Sequence, residues 1–96
     1  MTTSTAPATP VATTTIRVRY FAGARAAAGV SEEDITLPEL PSVEDVLDAL
    51  RDRHGHSFAK VLTGCSFLLD EIAVRDRAVT VADQADLDVL PPFAGG

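Results

Sequence analysis

The sequence closes on Pro91-Pro92-Phe93-Ala94-Gly95-Gly96, and its most reactive opportunity sits at the last atom. Two glycines ahead of a free carboxylate leave that group thin and unshielded, because neither carries a Cβ. Glycine makes up about 7% of average composition, so a terminal pair arises by chance in roughly one chain in 200. Read as a free end, Gly96 carries the group to be modified. The expected role is that of a carrier or modifier that works through its own C-terminus and has no cleft of its own. A free carboxylate, with a pKa near ~3.5, is a poor electrophile at pH 7. Something must therefore convert it to a good leaving group first. The preceding residues suit this use. Pro91 and Pro92 fix φ and donate no hydrogen bond, which ends strand pairing and projects the tail. Phe93 offers an aromatic anchor. Pro91, Pro92, Phe93, Ala94 and Gly95 are the expected partner-binding stretch, and the competing reading is a frayed, functionless terminus.

Other combinations of reactive residues fall short. His54 and His56 flank Gly55, but a metal site needs three or four ligands and the single cysteine, Cys65, is far along the chain. Helix-end histidines interacting with the dipole are the expected use, and no metal is expected. Cys65 has no basic neighbourhood to activate its thiol and reads as a packing residue. Gly23 to Gly29 lacks the Gly-Lys-Ser/Thr ending of a phosphate loop. Glu32-Glu33-Asp34 reads as a solvated turn. Asp86 and Asp88 fall at outward strand positions, open to basic residues of a partner. A Ser-His-Asp arrangement cannot be argued from the spacing.

The elements that must position the tail follow from composition and pattern. The chain has 96 residues, 46% hydrophobic, which suits one small domain with a single core. Eight Lys and Arg stand against fourteen Asp and Glu, a formal net charge of −6. That disfavours nucleic acid and favours a basic protein surface as partner. One cysteine excludes an internal disulfide framework and suits a reducing cytoplasm. The first fifteen residues have no Lys or Arg and no apolar run, so no signal peptide is expected. No apolar stretch nears the ~20 residues of a membrane span. A cytoplasmic location away from membranes is the expectation.

Residues 1–14 are of low complexity and are expected to form a disordered tail, with one domain over 15–90 and a flexible C-terminal tail over 91–96. Ile16 to Phe21 alternates as a strand with Ile16, Val18 and Tyr20 on one face and Arg17, Arg19 and Phe21 on the other. Ala22 to Gly29 reads as a short helix stopped by glycine, and Asp34 to Leu37 as a short strand ended by Pro38. Ser42 to His54 is a capped helix, with Val43, Val46, Leu47 and Leu50 forming an apolar stripe. Ser66–Leu69 and Ile72–Val74 flank an Asp70-Glu71 turn of uncertain type. Leu87–Leu90 closes the domain with Leu87 and Val89 inward. The order argues an α+β domain, a mixed sheet of about five strands with a main helix on one face.

Three stretches resemble the molybdopterin synthase small subunit family, ubiquitin-like β-grasp sulfur carriers close to the carrier of the thiamine pathway. They are Arg17-Val18-Arg19-Tyr20-Phe21-Ala22-Gly23-Ala24-Arg25, the capped helix, and Asp86-Leu87-Asp88-Val89-Leu90 running into the Gly-Gly ending. The resemblance covers roughly residues 15 to 96. Two turns depart from it: Ala85-Asp86 stands where the family usually has Gly-Asp, and Asp70-Glu71 where it often has Asn-Gly. The resemblance implies that an adenylyltransferase related to the ubiquitin-activating enzyme uses ATP to adenylate Gly96. A persulfide donor then yields a thiocarboxylate, and the loaded tail enters the large subunit of a heterotetramer. There it gives sulfur to a cyclic pyranopterin monophosphate, so that two deliveries build the dithiolene that binds molybdenum or tungsten. No permanently bound cofactor is implied.

In a β-grasp the first and last strands are parallel neighbours. Phe21 and Leu90 should then lie together at the tail's root on the outer face, with Ala73 extending an apolar docking patch. Sulfur carriage for thiamine thiazole or cysteine formation, and protein modification through Gly96, are the alternatives. With Lys60 as the one lysine, self-conjugation into chains is restricted.

Overall fold

The computed structural model describes residues 12–92. The elements are β1 (Thr13–Tyr20), α1 (Ala22–Ala28), β2 (Glu32–Pro38), α2 (Val43–His54), α3 (His56–Thr63), β3 (Ser66–Leu69), β4 (Ile72–Ala73) and β5 (Asp86–Leu90). They form one five-stranded sheet in the order β2-β1-β5-β3-β4. β1 and β5 run parallel; the other neighbours are antiparallel. The two central strands therefore come from opposite ends of the sequence, and the tail leaves from the middle of the sheet. This is the expected α+β arrangement, with the helices on one face.

The core is one apolar cluster. β1 supplies Ile16, Val18 and Tyr20, and β5 supplies Leu87 and Val89, all 2% exposed or less. α2 lays Val43, Val46, Leu47 and Leu50 against them, every one fully buried. Its start is secured by a capping box: the Ser42 hydroxyl accepts from the Asp45 N–H at 3.1 Å, and the Asp45 carboxylate accepts from the Ser42 N–H at 2.9 Å. α1 ends as its sequence implies, at Gly29 with φ 82°, whose N–H donates to the Arg25 carbonyl.

The structure corrects several boundaries. β1 begins at Thr13, so Thr13 and Thr14 belong to the sheet and not to an N-terminal tail; Thr14 is 5% exposed. Low complexity hid three good strand formers that β2 pairs directly, from Thr13↔Pro38 onward. β2 begins at Glu32, so Glu32-Glu33-Asp34 is strand and not a solvated turn. β4 holds two residues; Val74 lies past it, although its N–H still reaches the Phe67 carbonyl at 2.9 Å.

α3 was not legible as an element. Gly55 stops α2, and its φ of 91° turns the chain straight into a second helix. Phe58 and Leu62, one turn apart, carry that helix into the core. The Asp70-Glu71 turn has φ of 48° and 71° at its two central residues, the type I′ signature, without a glycine. Residues 1–11 of the expected N-terminal tail, and Phe93, Ala94, Gly95 and Gly96, lie outside the described residues.

Candidate functional site

The site is the end of the sheet where β1 and β5 finish side by side. Their register runs Arg17↔Asp86, Val18↔Leu87, Arg19↔Asp88 and Tyr20↔Val89. Phe21 follows as the residue capping α1 and not as the last residue of β1. Its backbone is still extended, at φ −123° and ψ 145°, and its N–H donates to the Val89 carbonyl at 3.2 Å. The alternation therefore continues one rung past the strand, and Phe21 stays 39% exposed. Leu90, on the neighbouring strand, is half-buried. Phe21 and Leu90 are the next positions of the β1–β5 register, at the root of the tail.

Ala73 stands further off. It pairs with Leu68 on β3, and Leu68 pairs with Asp88, so Ala73 shares the outer face but lies level with Asp88, two residues before Leu90. Leu68, half-buried between them, belongs to the same apolar surface and was missed because β3 offered no clear alternation. At the β4 edge Ala73 borders a shallow apolar groove lined by Leu69, Ile72, Val74 and Val79, where Ile72 is 72% exposed.

Charge frames the patch. Arg19 donates through Nε to Asp88 Oδ1 at 2.7 Å and through a terminal nitrogen to Oδ2 at 3.1 Å, a two-point clamp across the parallel strands. Asp88 is only 7% exposed. It faces outward as its alternation predicts, but Arg19 occupies it, which corrects its reading as a contact for a partner's basic residues. Arg17 lies 4.0 Å from Asp34 on the same face. The start of β5 is tied to the hairpin: the Asp86 N–H donates to Asp70 Oδ1 at 2.9 Å, and the Asp70 N–H to the Asp86 carbonyl at 2.8 Å.

The strand ends at Leu90, and Pro91 and Pro92 carry the chain off the sheet. Pro91 is half-buried and Pro92 exposed. The Pro92 ring lies beside Gly64, the residue that ends α3; a Cβ at Gly64 would sit 3.8 Å from both Cγ and Cδ of that ring. Phe93, Ala94, Gly95 and Gly96, the rest of the expected tail site, lie beyond the described residues.

Tyr20, Glu33, His54 and Cys65 are committed to the fold. His54 does more than sit at a helix end. Its Nε2 lies 2.5 Å from Glu33 Oε2, the oxygen that also accepts from the Tyr20 hydroxyl, while Arg53 donates to Oε1 at 3.0 Å. Tyr20, His54 and Phe58 pack their rings at centroid separations of 4.9–5.8 Å. Burial pushes the Glu33 carboxyl up, but hydrogen bonds from Tyr20, His54 and Arg53 outweigh it and hold the group below its ordinary value. Burial first, and then the Glu33 contact, push the Tyr20 phenol well above its usual range. Cys65 is 7% exposed and donates to the Val61 carbonyl; burial pushes its thiol up, which suits packing and not nucleophilic attack. Among the described residues no three His, Cys, Asp or Glu side chains gather as a metal would need. No helix among them is long and apolar enough to cross a membrane.

Known proteins share this arrangement. The ThiS family model matches residues 18–96. The chain is 32% identical over 82 residues to the molybdopterin synthase sulfur carrier subunit of Chlamydomonas reinhardtii, covering 84% of this chain and 98% of that one. Among solved structures, molybdopterin converting factor subunit 1 of Pyrococcus furiosus superposes with a TM-score of 0.76 at 27% identity, over 83% of this chain and 99% of that chain. Small archaeal modifier protein 1 of Haloferax volcanii gives 0.74 at 22%, over 85% and 99%. The Helicobacter pylori complex of subunits 1 and 2 of molybdopterin-converting factor gives 0.61 at 18%, again over 85% and 99%. The last two likenesses speak for the fold, which is the ubiquitin-like β-grasp. The family match spans most of the chain, from the end of β1 through β5 to the Gly-Gly ending: the chain belongs to the ThiS family.

Proposed function

We propose that the chain is the sulfur carrier subunit of a cytoplasmic molybdopterin synthase. The observation that carries this reading is the alignment with the Chlamydomonas carrier subunit, which runs over 98% of that protein. The parallel β1–β5 pair adds to it, because it delivers the tail beside the Phe21–Leu90 patch. In this reading the Gly96 carboxylate attacks the α-phosphorus of ATP on an adenylyltransferase, and pyrophosphate leaves. A persulfide donor then attacks the acyl carbon and AMP leaves. Cleavage of the remaining S–S bond by a donor thiol frees the thiocarboxylate. ATP is a substrate of the activating enzyme and not a resident group of this chain.

The chain's own residues bind and aim. Phe21, Leu90, Leu68 and Ala73 form the face that docks on the activating enzyme and on the large subunit, with Pro91 to Gly95 threading the large subunit's channel. The large subunit supplies the pterin pocket, and each loaded chain delivers one of the two dithiolene sulfurs. The subunit names of both the Chlamydomonas and the Pyrococcus relatives support a two-component enzyme, and the family pattern implies a heterotetramer.

Reconstitution tests the acceptor. The loaded full-length chain is mixed with a large subunit and cyclic pyranopterin monophosphate, and the pterin is analysed by mass. Two sulfurs gained by the pterin is the expected result. Sulfur passed only to a thiazole or cysteine precursor, or Gly96 joined to lysines of other proteins, would contradict it.

A further inference from the structure

The sheet has two edges, β2 and β4, and they are finished differently. β2 runs for seven residues and carries Glu32, Glu33 and Asp34, and Arg53 donates to its Asp34 carbonyl at 3.4 Å. Charges of this kind keep other chains from pairing with an edge. β4 is Ile72 and Ala73 alone, and Ile72 is 72% exposed. The Val74 N–H donates to the Phe67 carbonyl, and in an antiparallel ladder hydrogen-bonded pairs alternate with open ones. The Leu68–Ala73 pair is therefore open. The Ala73 N–H and C=O point off the sheet, where no strand of the described residues stands. The apolar groove walled by Leu69, Ile72, Val74 and Val79 runs beside this edge. Both of its sides are held. The Asp70 N–H and carboxylate tie the hairpin to Asp86, and the Val79 carbonyl accepts from the Val43 N–H at 3.0 Å. Exposed Glu71 precedes β4 and exposed Arg75 follows Val74, so charges of opposite sign bracket the edge.

We propose that β4 is a strand-addition site for the large subunit: an extended apolar segment of that protein pairs with Ala73 and seats a side chain against Ile72 and Val79. The inference rests on the carrier reading above. It carries the docking face around the edge of the sheet, since Ala73 belongs to both surfaces. In strand addition the main chain supplies affinity and alternate side chains supply specificity. The segment that fits has apolar alternate positions, an acidic residue toward Arg75 and a basic one toward Glu71. The partner follows from the surface each encounter needs. The activating enzyme must release the chain after loading, and a transient contact can be small. The synthase is a standing assembly, and such assemblies bury larger and more apolar interfaces. The Phe21–Leu90 patch serves both encounters, and the β4 edge adds the apolar surface that only the lasting one requires.

The experiment has two readouts on the full-length chain. Amide hydrogen exchange is followed by NMR for the wild-type chain, free and bound to the large subunit. The Ala73 amide is expected to slow at least about tenfold in the complex. Titration calorimetry then compares wild type with Ile72→Lys and Val79→Lys, two exposed positions whose replacement leaves the core alone. Each variant is expected to bind the large subunit about tenfold more weakly and the activating enzyme within about twofold of wild type. An Ala73 amide that exchanges as fast in the complex as in the free chain would overturn the proposal, and so would unchanged affinity of both variants for the large subunit. Equal losses toward both partners would overturn the choice of occupant, as would a wild-type chain that dimerises where Ile72→Lys does not. Failure of the wild-type chain to bind any large subunit would instead strike the carrier reading, so the two failures are distinguishable.

Discussion

Arg19 and Asp88 clamp the two central strands together at 2.7 and 3.1 Å, from positions 69 residues apart in sequence. The pair is unequal. The Asp88 side chain is 10% exposed and that of Arg19 35%. Removing the arginine strands a carboxylate that water reaches poorly, whereas removing the acid frees a guanidinium that water can solvate. Arg19→Met is expected to lower the melting temperature more than Asp88→Asn does. Thermal melts of both variants at low and high salt check the order, and a reversed order would mean that the clamp contributes little.

The Glu33 cluster sets a pH dependence. Glu33 titrates lower in the folded chain than its ordinary value of about 4.3. Its contribution is therefore complete above that value and is lost as pH falls through the folded one. Glu33→Gln should cost about 1–3 kcal/mol at pH 7 and should flatten the stability curve on its acid side. Tyr20 has the opposite sign: its raised phenol contributes stability that is whole below about pH 10 and fades above it. Urea unfolding followed from acid to alkaline pH measures both limbs.

Phe21→Asp and Leu90→Asp place a charge in the apolar patch without touching the fully buried core. Each is expected to leave the circular dichroism spectrum unchanged and to weaken binding to the activating enzyme and to the large subunit by about thirtyfold, the scale of a hot-spot residue. Titration calorimetry reads this directly. Unchanged affinity for both partners would remove the patch from the docking surface.

The Asp70-Glu71 turn stores strain that glycine would relieve. Glu71 holds φ at 71° and is exposed. Glu71→Gly should stabilise the chain by about 0.5–1 kcal/mol, the relief of left-handed backbone less the entropy glycine adds to the unfolded state. Asp70 is to be kept, since its carboxylate accepts from the Asp86 N–H. Chemical denaturation of the two proteins checks the sign.

Much of the architecture was legible because its signals are local. The capped stripe of α2, the alternation of β1 and the glycine stop of α1 each lie in one window of sequence, and each appears in the structure. Phe21 and Leu90 were legible because strand alternation and parallel pairing together decide which way they face. What failed depended on distant partners. Glu33 looked like a member of an exposed acidic run until Tyr20 and His54 came to it. Asp88 looked free until Arg19 closed on it. Thr13 and Thr14 had no apolar pattern to mark the strand that β2 completes. α3, eight residues with two buried anchors, was hidden behind Gly55.

The central claim concerns one atom. The full-length chain, incubated with ATP, a persulfide donor and its activating enzyme, is weighed intact beside a chain lacking Gly96. The carrier account requires exchange of one oxygen for one sulfur in the full chain alone, with the change mapped to the C-terminal peptide. An unaltered mass, with the activating enzyme proven active on another carrier, would contradict it.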